Sequence, residues 1–207
     1  MRKFGIGLIT ALAFVVAAYA IVQYGFFHPK YAGLVQEKLR KPDFHLTPWV
    51  YVLYAHIATA CLAIVIGPFQ LFRKQRSAAA RRRHRMLGII YVASIMLSSL
   101  VSVYLSLYAT GGWVAGVGFF TLDLLWAAST LMGVIRIIQG KADAHRRWML
   151  RSYALTLAAV GLRLYLFPLV LLFDGDFEAA YRVVAWLCWI PNLAIAEIWI
   201  RRQRKGE

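Results

Sequence analysis

Apolar positions along this chain come in long unbroken blocks, not in the alternation of a strand or the one-sided stripe of a surface helix. The blocks cover about 4–27, 48–72, 86–108, 113–138, 148–173 and 179–200. Each is long enough to cross a hydrocarbon core about 30 Å thick as α-helix, which needs roughly 20 apolar residues. The pattern predicts an all-α, polytopic membrane bundle of about six transmembrane helices. It forms one transmembrane domain over 1–207, with no room for a separate soluble domain. The polar interruption HPKYAGLVQEKLRKPDFHLTP, 28–48, predicts one short interfacial helix bounded by Pro29 and Pro42. The first block begins with basic residues and carries small residues at Ala18 and Ala20, as a secretory signal does. Its apolar run continues to Phe27, too long for a signal core, so an uncleaved first helix is expected.

Composition agrees: 61% of residues are hydrophobic, 16% are charged, and the mean hydropathy is +0.60. A soluble domain would be nearer half apolar and a quarter charged. The net charge of +15 matters through its distribution. Eighteen Lys and Arg fall in 1–3, 73–85, 136–151 and 201–205, against four in 28–48, while the turns YATGGW and FDGDFEA hold none. The positive-inside rule then predicts both termini in the cytoplasm of a bacterial inner membrane. The expected partners are the lipid bilayer and its anionic headgroups. No nucleic-acid motif accompanies the basic residues. Cys61 and Cys188 fall within spans and form no CxxC motif, so they read as packing residues.

An ionisable side chain in hydrocarbon costs roughly 2.5–3.5 kcal/mol at a helix centre, so it faces a partner or a cavity. Asp123 and Arg163 each lie ten residues from the outer end of consecutive predicted helices, roughly 15 Å deep at 1.5 Å per residue. His56 lies about 12 Å deep on the second helix. The matched depth predicts a buried cluster of His56, Asp123 and Arg163 in which Asp123 neutralises Arg163. Two readings stand: a structural pair with His56 bonded to a carbonyl, or a proton-, quinone- or substrate-linked cluster. Asn192 and Glu197 lie nearer the cytoplasmic end.

A second cluster sits at the cytoplasmic ends of helices three and five, which open HRMLGIIYVAS (84–94) and HRRWMLRSYAL (145–155). This echo predicts that helices 2–3 and 4–5 form two parallel repeats. Two histidines on facing helices are the minimum for a bis-imidazole haem iron, so His84 and His145 are candidate ligands of a haem b. Arg85, Arg146 and Arg147 suit its propionates, or equally a phospholipid headgroup. The competing reading is basic residues at a helix end with incidental histidines. Three function classes follow. One is an electron-transfer protein working with a quinone or membrane redox partner. The second is a small proton-coupled transporter built on His56, Asp123 and Arg163. The third is a non-catalytic membrane partner or assembly protein. Neither a Ser/His/Asp arrangement, a phosphate loop nor paired carboxylates are visible, which disfavours a soluble-type hydrolase or kinase. The spacing from Gly112 to Gly116 would allow close approach of a neighbouring helix.

The segments HIATACLAIVIGPFQLF, HRMLGIIYVAS and GKADAHRRWMLRSYALTLAAVGLR resemble domain-of-unknown-function family 2306, over about residues 50–165. That resemblance implies a multi-span bacterial inner-membrane protein. The arrangement of histidines is also similar to the cytochrome b561 family, in which four central helices hold two b-type haems through four histidines. His84 and His145 match its third–fifth helix pair, and His56 its second-helix position. Helix four carries Asp123 and no histidine, so the resemblance implies at most one bis-histidine haem.

Overall fold

The computed structural model describes residues 3–42, 44–72 and 77–205. Arg73, Lys74 and Arg76 of the expected basic loop lie outside the described residues. Among those described, every regular element is helical. The helices are α1 (Lys3–Gly25), α2 (Gly33–Leu39), α3 (Leu46–Phe72), α4 (Ala78–Leu107) and α5 (Gly112–Ile138), then α6 (Ala142–Thr156), α7 (Ala158–Leu172), α8 (Phe177–Leu187) and α9 (Ile190–Lys205). Six spans are long and apolar enough to cross a membrane: α1, α3, α4, α5, α6 with α7, and α8 with α9. The short α2, preceded by a 3-10 turn at Pro29–Tyr31, is a helix lying between the two prolines, as expected. The surface is apolar, as lipid contact requires: Leu100 is 71% exposed, and Trp113, Ile138 and Leu172 are exposed likewise.

Three boundaries differ from expectation. α4 starts at Ala78, eight residues before the apolar block. Ala and Arg are strong helix formers, and Ser77 caps the helix with its Oγ accepting from Ala80 N at 3.1 Å. The fifth span starts at Ala142 and is interrupted at Leu157, where Val160 N bonds back to Leu157 O at 3.0 Å in a tightened turn. The sixth is interrupted at Cys188–Trp189. The two interruptions meet: a Cβ on Gly161 would stand 2.4 Å from the Cys188 carbonyl oxygen.

Small and hydroxylated residues hold the bundle together, as they must where lipid is as apolar as leucine. The most extensive packing joins α3 to α4 and α5 to α6, the pairs that the His-Arg echo singled out. Ser94, Ser98, Ser102 and Ser106 recur every four residues along α4 and are all buried. Gly67 of α3 leaves space for the Tyr153 ring of α6, which a Cβ would approach to 2.1 Å. Of the spaced pair on α5, Gly116 lies against the Ser106 carbonyl, where a Cβ would meet it at 2.7 Å. Gly112 instead supplies the turn from α4, with φ +71° after Gly111 at +89°.

Candidate functional site

A cavity of about 240 Å³ lies among α1 to α8. Its lining starts at Leu34 and Lys38 of α2 and at Tyr108, Ala109 and Thr110 of the α4–α5 turn. It ends at mid-span on Trp126, Leu155, Thr156 and Cys188. His56, Asp123 and Arg163 all line it, so the predicted cluster occupies one site. Most other lining residues are apolar, with a few polar groups pointing inward, the usual make-up of a small-molecule site. The volume is below the roughly 300–1,000 Å³ of drug-sized pockets.

The cluster does not close as an ion pair. Arg163 Nη1 donates to Ala159 O at 2.9 Å on its own helix, and its guanidinium stands 5.5 Å from the Tyr19 ring centre. Asp123 is 7% exposed, and its carboxyl makes no hydrogen bond or ion pair among the described residues. The expected Asp123–Arg163 pair fails for a topological reason. α5 packs on α6 in the half towards His145. In the other half the fifth span continues as α7, which packs chiefly on α8 and α1, and α8 comes against α5. Equal depth on consecutive helices therefore puts the two charges on one cavity without putting them in contact. His56 bonds to hydroxyls and not to a carbonyl. Its Nδ1 lies 3.0 Å from Ser98 Oγ and 2.6 Å from Ser102 Oγ, both on the serine stripe of α4.

Several polar atoms around the cavity are buried without partners among the described residues: Trp49 Nε1, Thr110 Oγ1 and Arg163 Nε. Lys38 is 6% exposed, with its ammonium 5.5 Å from the Phe44 ring centre and 5.7 Å from that of Trp49. Burial, and to a lesser degree the neighbouring Lys41 charge, push its pKa down to about 8 against the pull of Glu178. Beneath the cavity a buried hydroxyl network joins three helices. Trp126 Nε1 donates to Thr156 Oγ1 at 2.9 Å, and Tyr91 OH lies 3.2 Å from Thr156 Oγ1 and 3.0 Å from Ser152 Oγ. Ser152 Oγ in turn lies 2.7 Å from Thr130 Oγ1.

At the other end of the bundle His84 lies within electrostatic reach of His145. His145 Nδ1 is 2.8 Å from the Gly133 carbonyl oxygen. Only an Nδ1–H can donate there, which leaves the lone pair of the neutral ring on Nε2. Neither cavity described here is bordered by His84 or His145. Arg85 and Arg146 are exposed, and Arg146 and Arg147 border a small cleft of about 30 Å³ with Leu71, Phe72 and Trp199. Arg151 pairs with Glu197 of α9 in a two-pronged contact, Nη2 to Oε2 at 3.0 Å, and its guanidinium stacks 4.6 Å over Trp148.

Lys38, Trp49, Thr110 and the hydroxyl network were not singled out from sequence. The four-residue spacing of serines on α4 was a readable signal for the partner face of His56. Nothing comparable marks Thr110 or Thr156.

Six apolar spans around a buried polar cavity define a polytopic α-helical membrane protein. More particularly, the chain belongs to the DUF2306 family of predicted membrane proteins, whose model matches residues 53–200. The match takes in His56, Asp123 and Arg163 and begins after Lys38 and Trp49. No curated protein and no solved structure matches the chain.

Proposed function

We propose that this protein is a proton-linked carrier of a small molecule in the bacterial cytoplasmic membrane, with both termini inside. The observation that carries the reading is Asp123, a carboxyl without a partner among the described residues, which lines a cavity reaching from α2 to mid-span. A lone carboxylate at that depth costs roughly 2.5–3.5 kcal/mol, a cost that a proton on Asp123 removes. A solute that binds beside the protonated carboxyl then favours that proton, which couples proton and solute in the same direction. The hydroxyls of Thr156, Tyr91, Ser152 and Thr130 continue from the cavity floor as rotatable donors and acceptors, the material of a proton path. Interrupted helices beside the cavity, at Leu157 and Cys188, are a recurring feature of transporter binding sites.

Proteoliposomes under an inward proton gradient test this. They are supplied with the low-molecular-mass fraction of bacterial cells, and uptake is followed by mass spectrometry. At least one compound should accumulate in wild-type vesicles and fail to do so with a protonophore or with Asp123→Asn. Uptake no different from that of empty liposomes contradicts the reading.

One observation favours a second reading. The His145 ring is fixed through Nδ1 on Gly133 O, which leaves the lone pair of the neutral ring on Nε2, the tautomer a metal-ligating imidazole takes. With His84 as the second ligand and Arg85, Arg146 and Arg147 near the propionates, the inner end would hold a haem b and pass electrons to a quinone or membrane redox partner. A reduced-minus-oxidised visible spectrum decides it. One haem per chain, lost in both His84→Ala and His145→Ala, supports the reading, and a colourless preparation from haem-replete cells ends it.

A further inference from the structure

The cavity's polar atoms are unevenly matched. Among the described residues, Lys38 and Arg163 are the two Lys or Arg side chains in its lining, and Asp123 is the single acidic group. Trp49 Nε1–H and Arg163 Nε–H are, among the described residues, donors without acceptors, and the hydroxyl of Thr110 is also unpartnered there. Trp49 and Thr110 are each only 3% exposed, so bulk water does not satisfy them. Leaving a buried donor unmet is costly, so three such groups on one cavity point to something that accepts from them. Lys38, Trp49 and Thr110 all sit at the α2 end, with the Lys38 ammonium against the Trp49 ring. The walls between that end and Arg163 are apolar, with Leu53, Leu105, Phe119 and Leu122 among them.

We infer that the cavity's ligand is a small amphipathic organic anion. Its acid group is received at the α2 end by Lys38, Trp49 Nε1 and Thr110 Oγ1, and its apolar body lies along the inner wall. Arg163 provides a second, deeper positive site towards which the anion can move. An oxyanion supplies several lone pairs at once and so satisfies the ammonium, the indole N–H and the hydroxyl together. A neutral alcohol offers one oxygen, and an organic cation would face Lys38 and Arg163 with like charge. The inference rests on the cavity being a ligand site, as the carrier reading holds, and adds the class of ligand.

The test is calorimetric titration of the full-length protein, in nanodiscs of zwitterionic lipid, with hexanesulfonate. Hexanol and hexyltrimethylammonium serve as neutral and cationic counterparts of the same tail length. Hexanesulfonate should bind saturably and about tenfold or more tighter than hexanol, and the cation should not compete for the site. Lys38→Met and Thr110→Val should each weaken the sulfonate about tenfold while leaving thermal unfolding close to wild type. Binding of hexanol or the cation as tight as the sulfonate overturns the inference. So does sulfonate binding unchanged in both variants, which is partitioning into lipid, and so does no saturable binding of any of the three. Failure of the two readings is separable. Sulfonate binding without proton-driven uptake removes the carrier alone, and proton-driven uptake of a neutral or cationic compound alone removes the anion alone.

Discussion

Gly161 has no room for a side chain, because the Cys188 carbonyl oxygen stands 2.4 Å from where its Cβ would be. Backbone yields less than a flexible side chain, so Gly161→Ala must push α7 from α8 just where both spans are interrupted. Such overpacking costs about 1–3 kcal/mol, and thermal unfolding in detergent should show a clear drop in midpoint. Gly7→Ala, with nothing within 4 Å, should leave the midpoint unchanged or slightly raised. At Lys38 the prediction concerns pH. Its pKa is lowered to about 8, chiefly by burial and then by Lys41, with Glu178 opposing and the Phe44 and Trp49 rings facing the ammonium. Below that value the ammonium attracts an anion, and above it the neutral amine does not. Hexanesulfonate affinity should therefore fall as pH rises past about 8, somewhat later in the complex because the anion favours the charged amine. Lys38→Arg should abolish the fall, since guanidinium stays charged throughout. The depth of Asp123 and Arg163 was legible by counting residues from the span ends. Whether they touch was not, because a residue count carries no lateral distance.

Elements carry the next level of explanation. Six apolar blocks translate directly into six spans, since a bilayer leaves helix as the way for such a segment to satisfy its backbone. The interruption at Cys188 has a local signal, since Pro191 lacks an N–H and its ring excludes the Leu187 carbonyl four residues back. That at Leu157 has none: SYALTLAAVG contains no proline, and its single glycine lies four residues past the break. The break at Leu157 arises from how the fifth and sixth spans pack on one another, a tertiary effect that local sequence does not encode. Tyr91 illustrates an element-level prediction. Its hydroxyl ties α4 to α6 through Ser152 and Thr156. Tyr91→Phe keeps the ring packed and deletes that link. Hydrogen bonds between membrane helices are worth about 0.6 kcal/mol on average, so stability should fall by roughly 1 kcal/mol for the two. Proton-driven uptake should fall severalfold while hexanesulfonate binding persists. Unchanged uptake would show that the hydroxyls are packing alone.

For the whole molecule, the balance of polar and apolar surface is reversed from that of a soluble domain. Large apolar residues such as Leu100 face outward, while serines, threonines and an unpaired carboxyl line the interior. That reversal was legible in composition and block length. Which interior face would be hollow was not, since a cavity depends on how α3, α4, α5, α7 and α8 fail to fill the space they enclose. The central claim is that Asp123 exchanges protons with water through that hollow. An infrared pH titration of the protein in lipid, with Asp123→Asn subtracted, measures this most directly. The difference spectrum should contain one carboxylic C=O band that is present at low pH and disappears at high pH. A band that stays constant between about pH 4 and pH 10, or no band at all, would contradict the claim.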